Sequence, residues 1–158
     1  MIRFESMTED AWKPILEASI SAYAAEHIRA GSWIEEEAMA RARAEFAHLL
    51  PEGLQTTGHH ICSVMDETSN EAVGYLWYQT RDKAGAPCIF LYDIQIFQAH
   101  RRQGYAAAAL QVLERLALEA HGANRIELHV FGPNAAARNL YAKAGYEEIH
   151  VMMAKVLP

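Results

Sequence analysis

The segment Arg101-Arg102-Gln103-Gly104-Tyr105-Ala106 sets two guanidinium groups beside a glycine turn. It follows the apolar run Ile89 to Phe97 and leads into the Ala- and Leu-rich stretch Ala107 to Ala120, so strand, basic turn and helix succeed one another. A glycine lets the backbone come close to a ligand, and the helix start presents unpaired N–H groups and the positive end of its dipole. The chemistry expected here is the grip of a phosphate or pyrophosphate. The turn is neither a Walker A loop nor a dinucleotide GxGxxG, because no Gly-Lys-Ser/Thr follows and the glycine spacing is absent. His59-His60 with Cys62 lacks the partner pair and spacing of a metal centre, so no metal is expected.

The elements that must position this turn are read from periodicity. Ile2 to Ser6 alternates like a half-buried strand. Thr8 is an N-cap for a helix that runs to Gly31, and Ser32 with Glu35 reads as a capping box for a second helix reaching Leu49, with Glu35-Glu36-Glu37 favoured by the dipole. Strands follow over His60 to Met65, Ala72 to Thr80 and Cys88 to Phe97, with turns at 66–70 and 81–87. A helix spans Gly104 to His121 and a strand Arg125 to Phe131. Asn134 caps a last helix to Ala144, and Tyr146 to Leu157 reads as closing strand or hairpin. The order β-α-α-β-β-β-α-β-α-β(β) is that of an α+β sandwich.

A chain of 158 residues is read as one domain with a substantial core. No apolar run reaches the ~18 residues of a membrane span and no leader is evident, so a cytoplasmic protein with no membrane partner is expected. Cys62 and Cys88 are expected to be buried, unreactive thiols. Net charge is −6, split into 13 acidic against 5 basic side chains up to Thr80 and 7 against 9 from Arg81 onward. The acidic half suits a cationic ligand and the basic half an anionic one, while nucleic acid is disfavoured.

Downstream of the basic turn lies Asn134-x-x-Ala137-x-x-Leu140-Tyr141-x-x-x-Gly145-Tyr146. With Arg101-x-x-Gly104-x-Ala106, it resembles the two motifs of the GNAT superfamily of acyl-CoA-dependent N-acetyltransferases. The likeness covers nearly the whole chain in element order and Ile94 to Tyr146 in motif; Ala106 stands where glycine is commoner. It implies a three-layer fold, a mixed sheet of about six or seven strands flanked by about four helices. It further implies that residues 1–80 form the acceptor side and 81–158 bind acetyl-CoA.

Carried over by position, the resemblance implies that Ile94, Gln95 and Ile96 lie on a strand that splays from its neighbour and offers its backbone to pantetheine. The amides of Arg102, Gln103, Gly104, Tyr105 and Ala106 would hold the pyrophosphate with Arg101 at the mouth, Asn134 would bond the pantetheine or its neighbouring backbone, and Ala137 would belong to the cofactor-binding set. Tyr141 would sit near the thioester sulfur as general acid. Direct transfer to an amine also needs a base, because the amine arrives largely protonated. His129 leads, in a Leu128-His129-Val130 setting resembling relatives that act on protein N-termini; Asp93, Glu127, Tyr92 or a water chain are the alternatives. Phe90 stands where histone-type relatives carry an acidic side chain. Residues 11–51 would wall the acceptor site, with Trp33, Trp77 and Tyr78 as candidate lining. The acceptor is expected to be a peptide or small-molecule amine, and the protein a monomer or homodimer. The rival reading is a module that senses acyl-CoA without turnover.

Overall fold

A computed structural model describes all residues from Met1 to Pro158. The strand β1 (Ile2–Ser6) leads into α1 (Glu9–Arg29), whose first turn is capped by Thr8: its Oγ1 accepts from the Ala11 amide at 3.3 Å. Then come α2 (Glu35–Leu49), β2 (His59–Asp66), β3 (Ala72–Lys83), β4 (Ala86–Ile96), α3 (Tyr105–His121), β5 (Ile126–Leu128) and α4 (Ala135–Lys143). Short 3-10 turns at Gly53–Gln55 and Gln98–His100 join the longer elements.

The five strands form one sheet in the order β1-β2-β3-β4-β5, antiparallel except for the parallel pair β4-β5. One face packs on α1 and α2, where Trp12, Ile20, Ala24, Ala38, Ala42 and Phe46 meet Ile61, Tyr75 and Trp77. On the other face, Ala109, Leu110, Leu113 and Ala117 of α3 meet Leu76, Tyr78, Ile89 and Leu91. Each large apolar side chain buried this way contributes about 1.5–3 kcal/mol, so two helix layers clamp the central strands β3 and β4.

Two irregularities in β4 shape the surface around it. Trp77 pairs with Asp93 but Tyr78 pairs with Leu91, so Tyr92 is an extra residue, a β-bulge. A bulge lets successive side chains serve the same side of a sheet. Tyr92 stacks on Trp77 at 4.4 Å between ring centroids, while Asp93 reaches Tyr75 on that same face. The second irregularity is that β5 pairs with β4 only through Ile89–Ile126, Phe90–Glu127 and Leu91–Leu128. Beyond Leu91 the two strands part.

Several expected boundaries shift. The expected turn at 81–87 shrinks to Ala84-Gly85, both at positive φ (54° and 80°), the pattern of a tight type I′ hairpin that lets β3 and β4 extend. The capping box at Ser32 does not form; Ile34 takes the N-cap place with no side-chain bond, and the acidic first turn starts α2 unaided. The strand expected over Arg125 to Phe131 shortens to three residues, because its partner leaves it. The closing strand over Tyr146 to Leu157 is absent, so the sheet has five strands rather than six or seven. That segment alternates like a strand but meets no sheet edge, and Val151 and Met152 are 66% and 97% exposed.

Candidate active site

The basic turn is built as a nest of amides. Arg102 (φ 63°) and Gly104 (φ 86°) both adopt left-handed backbone, so successive N–H groups turn to one side ahead of α3. From Arg102 to Ala107 no backbone amide donates to any group of the chain. A Cβ added at Gly104 would meet nothing within 4 Å, so the space in front of the turn is open. These are the features an anionic pyrophosphate requires, and the residues present fit it. Arg101 at the mouth of the turn also has a bond within the chain. Its Nε donates to the Ile96 carbonyl at 2.9 Å, tying the turn to the end of β4. The Tyr105 hydroxyl donates to Asp66 and pins the start of α3 to the β2–β3 turn, which leaves only the amide of Tyr105 to face a ligand.

Where β4 leaves β5, Asp93, Ile94, Gln95 and Ile96 have no strand partner on that side. On the other side β4 presses hard on β3: a Cβ on Gly74 would lie 2.2 Å from the Gln95 carbonyl oxygen. Gly74 is therefore a positioning feature that sequence reading missed, marked only as a glycine inside an apolar strand. Asp93 is partly accessible, and its carboxylate accepts from the Tyr75 hydroxyl at 2.6 Å. Burial pushes its proton affinity up, opposed by the bonds from Tyr75 and from the Ile94 amide. The Tyr75 oxygen lies 2.9 Å from Ser19 Oγ on α1. Sequence reading singles out neither Ser19 nor Tyr75; a lone serine in the buried stripe of α1 is the only signal.

Tyr141 comes from α4, whose start is set by Asn134: its Oδ1 accepts from the Ala137 amide at 3.1 Å. Asn134 thus bonds the neighbouring backbone, one of the two partners that the resemblance implied for it. Tyr141 is half-buried, and its hydroxyl is pushed up to about 12, first by burial and then by the charge of Asp93. It stays protonated at neutral pH, as a proton donor must.

The other candidates for base lie elsewhere. The Glu127 carboxylate is paired with Arg125 (2.6 Å) and with Lys83, which hold it below the usual carboxylate range. Its carboxylate is committed to these two cations. Tyr92 accepts from Arg81 at 2.6 Å and donates to Gln79 at 3.2 Å. His129 lies just beyond β5, exposed, its ring edge-on to Phe131 at 5.1 Å.

Phe131 joins an aromatic cluster on α1 and the turn after it: His27 stacks on Trp33 at 3.7 Å and stands edge-on to Tyr23 and Phe131. Tyr23 donates to Glu45 of α2 at 2.8 Å. Trp33 thus stands in the expected acceptor wall, whereas Trp77 and Tyr78 are core. His59 accepts from Trp77 Nε1 at 2.9 Å and His60 stacks on Tyr78, so both serve packing. Cys88 is buried, and burial pushes the Cys62 thiol up to about 11. No helix is long and apolar enough to cross a membrane.

An α+β domain with one sheet between two helix layers, parted at one strand pair beside an open nest of amides, is of a class suited to an anionic ligand at a strand-turn-helix junction. The chain belongs to the acetyltransferase (GNAT) family, whose sequence pattern matches residues 20–146. It is similar to YycN, an uncharacterized N-acetyltransferase of Bacillus subtilis (strain 168), with 33% identity over 99% of either chain. It is also similar to YdgE, an uncharacterized N-acetyltransferase of the same organism, with 31% identity over 97% of this chain and 96% of that one. The crystal structure of YycN superposes on this fold with a TM-score of 0.93, covering 100% of this chain and 99% of that one.

Proposed function

We propose that this acetyltransferase uses acetyl-CoA and transfers the acetyl group directly to a primary amine within a ternary complex. The observation that carries the reading is the unbroken run of free amides from Arg102 to Ala107 at the end of the parted strand β4. An amide nest at a helix start suits a pyrophosphate, and the unpaired edge of β4 suits the amide-bearing pantetheine arm. The description of YycN and YdgE as N-acetyltransferases supports an amine as acceptor.

The chemistry follows from the two groups beside the gap. An alkylammonium must lose one proton before its nitrogen can attack the thioester carbonyl, and Asp93 is the base that receives it. As the C–N bond forms, the C–S bond breaks and Tyr141 protonates the departing thiolate. The second proton leaving the nitrogen restores Tyr141. Burial serves both roles, because it keeps Tyr141 protonated and makes the Asp93 carboxylate more basic than an exposed one. His129, Phe131, Trp33 and Tyr23 lie on the acceptor side, where they shape the approach of the amine.

The test is thiol release from acetyl-CoA over a panel of small amines and peptides with free N-termini. Acceptor-dependent release of CoA is expected. Tight binding of acetyl-CoA with no release for any acceptor would overturn catalysis and leave a sensing module.

A further inference from the structure

Ser19, Tyr75 and Asp93 come from three elements, α1, β3 and β4, and meet in one line of polar atoms inside the apolar layer between helix and sheet. The distances are 2.9 Å from Ser19 to Tyr75 and 2.6 Å from Tyr75 to Asp93. Ser19 is the one buried residue outside the apolar and aromatic set, and Tyr75 is also buried. Burying such groups is costly unless each is bonded, so the line persists because its members satisfy one another. The bulge at Tyr92 is what brings Asp93 to this face.

We propose that Ser19 and Tyr75 are positioning residues for acetyl transfer: a chain of two hydroxyls that holds the Asp93 carboxyl and reverses its polarity when that carboxyl takes up a proton. This deepens the assignment of Asp93 as the base and rests on it. With Asp93 ionised, Tyr75 donates to the carboxylate and Ser19 donates to Tyr75. With Asp93 protonated, the carboxyl donates to Tyr75, Tyr75 donates to Ser19, and the serine hydroxyl turns to a carbonyl one helical turn back, a bond open to any helical serine. No heavy atom moves. The base therefore keeps its place through both halves of the reaction, which a lone buried carboxyl would not. Of the titratable groups around Asp93, Tyr75 from β3 bonds it and Tyr141 from α4 feels its charge, and from α1 the uncharged Ser19 bonds Tyr75. Both tyrosines are held protonated by burial, so neither competes for charge near neutral pH.

The experiment is a pH titration of 13C-labelled Asp carboxyl groups by NMR, with the Asp93 signal assigned by its loss in Asp93→Asn. Wild type is compared with Tyr75→Phe and Ser19→Ala. Tyr75→Phe is expected to raise the proton affinity of Asp93 about tenfold, since the carboxylate loses its donor. Ser19→Ala should move it the same way by less. The acidic limb of kcat should shift to higher pH in the same order, while the KM for acetyl-CoA stays constant. An Asp93 titration unmoved in both variants, or a kcat lowered equally at every pH, would overturn the chain. If Tyr75→Phe does not fold, Ser19→Ala carries the same comparison. If wild type releases no CoA with any acceptor, the catalytic reading falls; the carboxyl titration, which needs no turnover, still decides whether the two hydroxyls govern Asp93.

Discussion

The charge of Asp93 acts on Tyr141, and the environments of the two groups suit the opposite tasks proposed for them. Burial alone would raise both, yet for a phenol that means staying a donor and for a carboxyl it means becoming a better acceptor. Tyr141→Phe keeps the ring in place and removes the proton. It should lower kcat about 10²- to 10⁴-fold with little change in the KM for acetyl-CoA, and an unaltered kcat would show that the thiolate is protonated by another group. Asp93→Asn and His129→Ala separate the two remaining bases. The first should remove most of kcat, and the second should act chiefly on the KM of the amine, because His129 is exposed at the mouth beside Phe131. Rate profiles from about pH 6 to 9 decide between them, and a profile lost in His129→Ala but kept in Asp93→Asn would reverse the assignment. Of the residues in the proposed roles, Tyr141 is marked by its motif, whereas Asp93 ranks behind His129 in the sequence. A strand residue's facing depends on register, and one extra residue in β4 re-aims Asp93.

At the level of elements, the C-terminal end of β4 is held from two directions, and the proposed donor side depends on both. Arg101 bonds the Ile96 carbonyl, and Gly74 lets β3 approach Gln95 more closely than any side chain permits. Arg101→Ala should loosen the amide nest and raise the KM for acetyl-CoA about tenfold. A change confined to the KM of the amine would contradict that role. Gly74→Ala must push β4 away, at a cost of about 1–3 kcal/mol of stability and with a rise in the acetyl-CoA KM. Thermal melting and the two KM values check both effects, and an unchanged melting temperature would mean that the strand yields without strain. The helices and long strands were legible because capping and periodicity are local. The capping box at Ser32, the length of β5 and the closing strand were not. Each depends on whether a distant partner is present to pair with.

For the molecule as a whole, three histidines are packed as neutral aromatic rings: His27 on Trp33, His59 on Tyr92 and His60 on Tyr78. Burial is the largest cause lowering each of them. His59 is also an acceptor at Nδ1 for Trp77, a bond that protonation there abolishes. The unfolded chain titrates near ~6.5 and the folded one lower, so the folded state binds fewer protons. Their contribution is complete above ~6.5 and is lost as pH falls through that value toward the folded ones. The melting temperature should therefore drop between about pH 7 and pH 5, less steeply in His59→Gln. Equal slopes for the two proteins would mean that His59 does not take part. The same scale brings together the charge asymmetry of the chain: the acidic half carries α1 and α2, the proposed acceptor wall, and the basic half carries the amide nest.

By itself, the sequence determined the α+β class, the order of nearly all elements, the basic glycine turn between strand and helix, and the family resemblance. Each of these is written in short runs of residues: a cap, a glycine between strand and helix, a spacing of Asn, Leu and Tyr on one helix. Only the tertiary structure decided that β4 parts from β5 after Leu91, that Glu127 is spent on Lys83 and Arg125, and that Ser19 and Tyr75 stand behind Asp93. The physical reason is the range of the interactions. Propensity and capping act within a turn of the chain, whereas pairing, ion pairs and buried hydroxyl chains join distant residues, Ile2 with Asp66 and Ser19 with Tyr75 among them, and no local pattern specifies their partners.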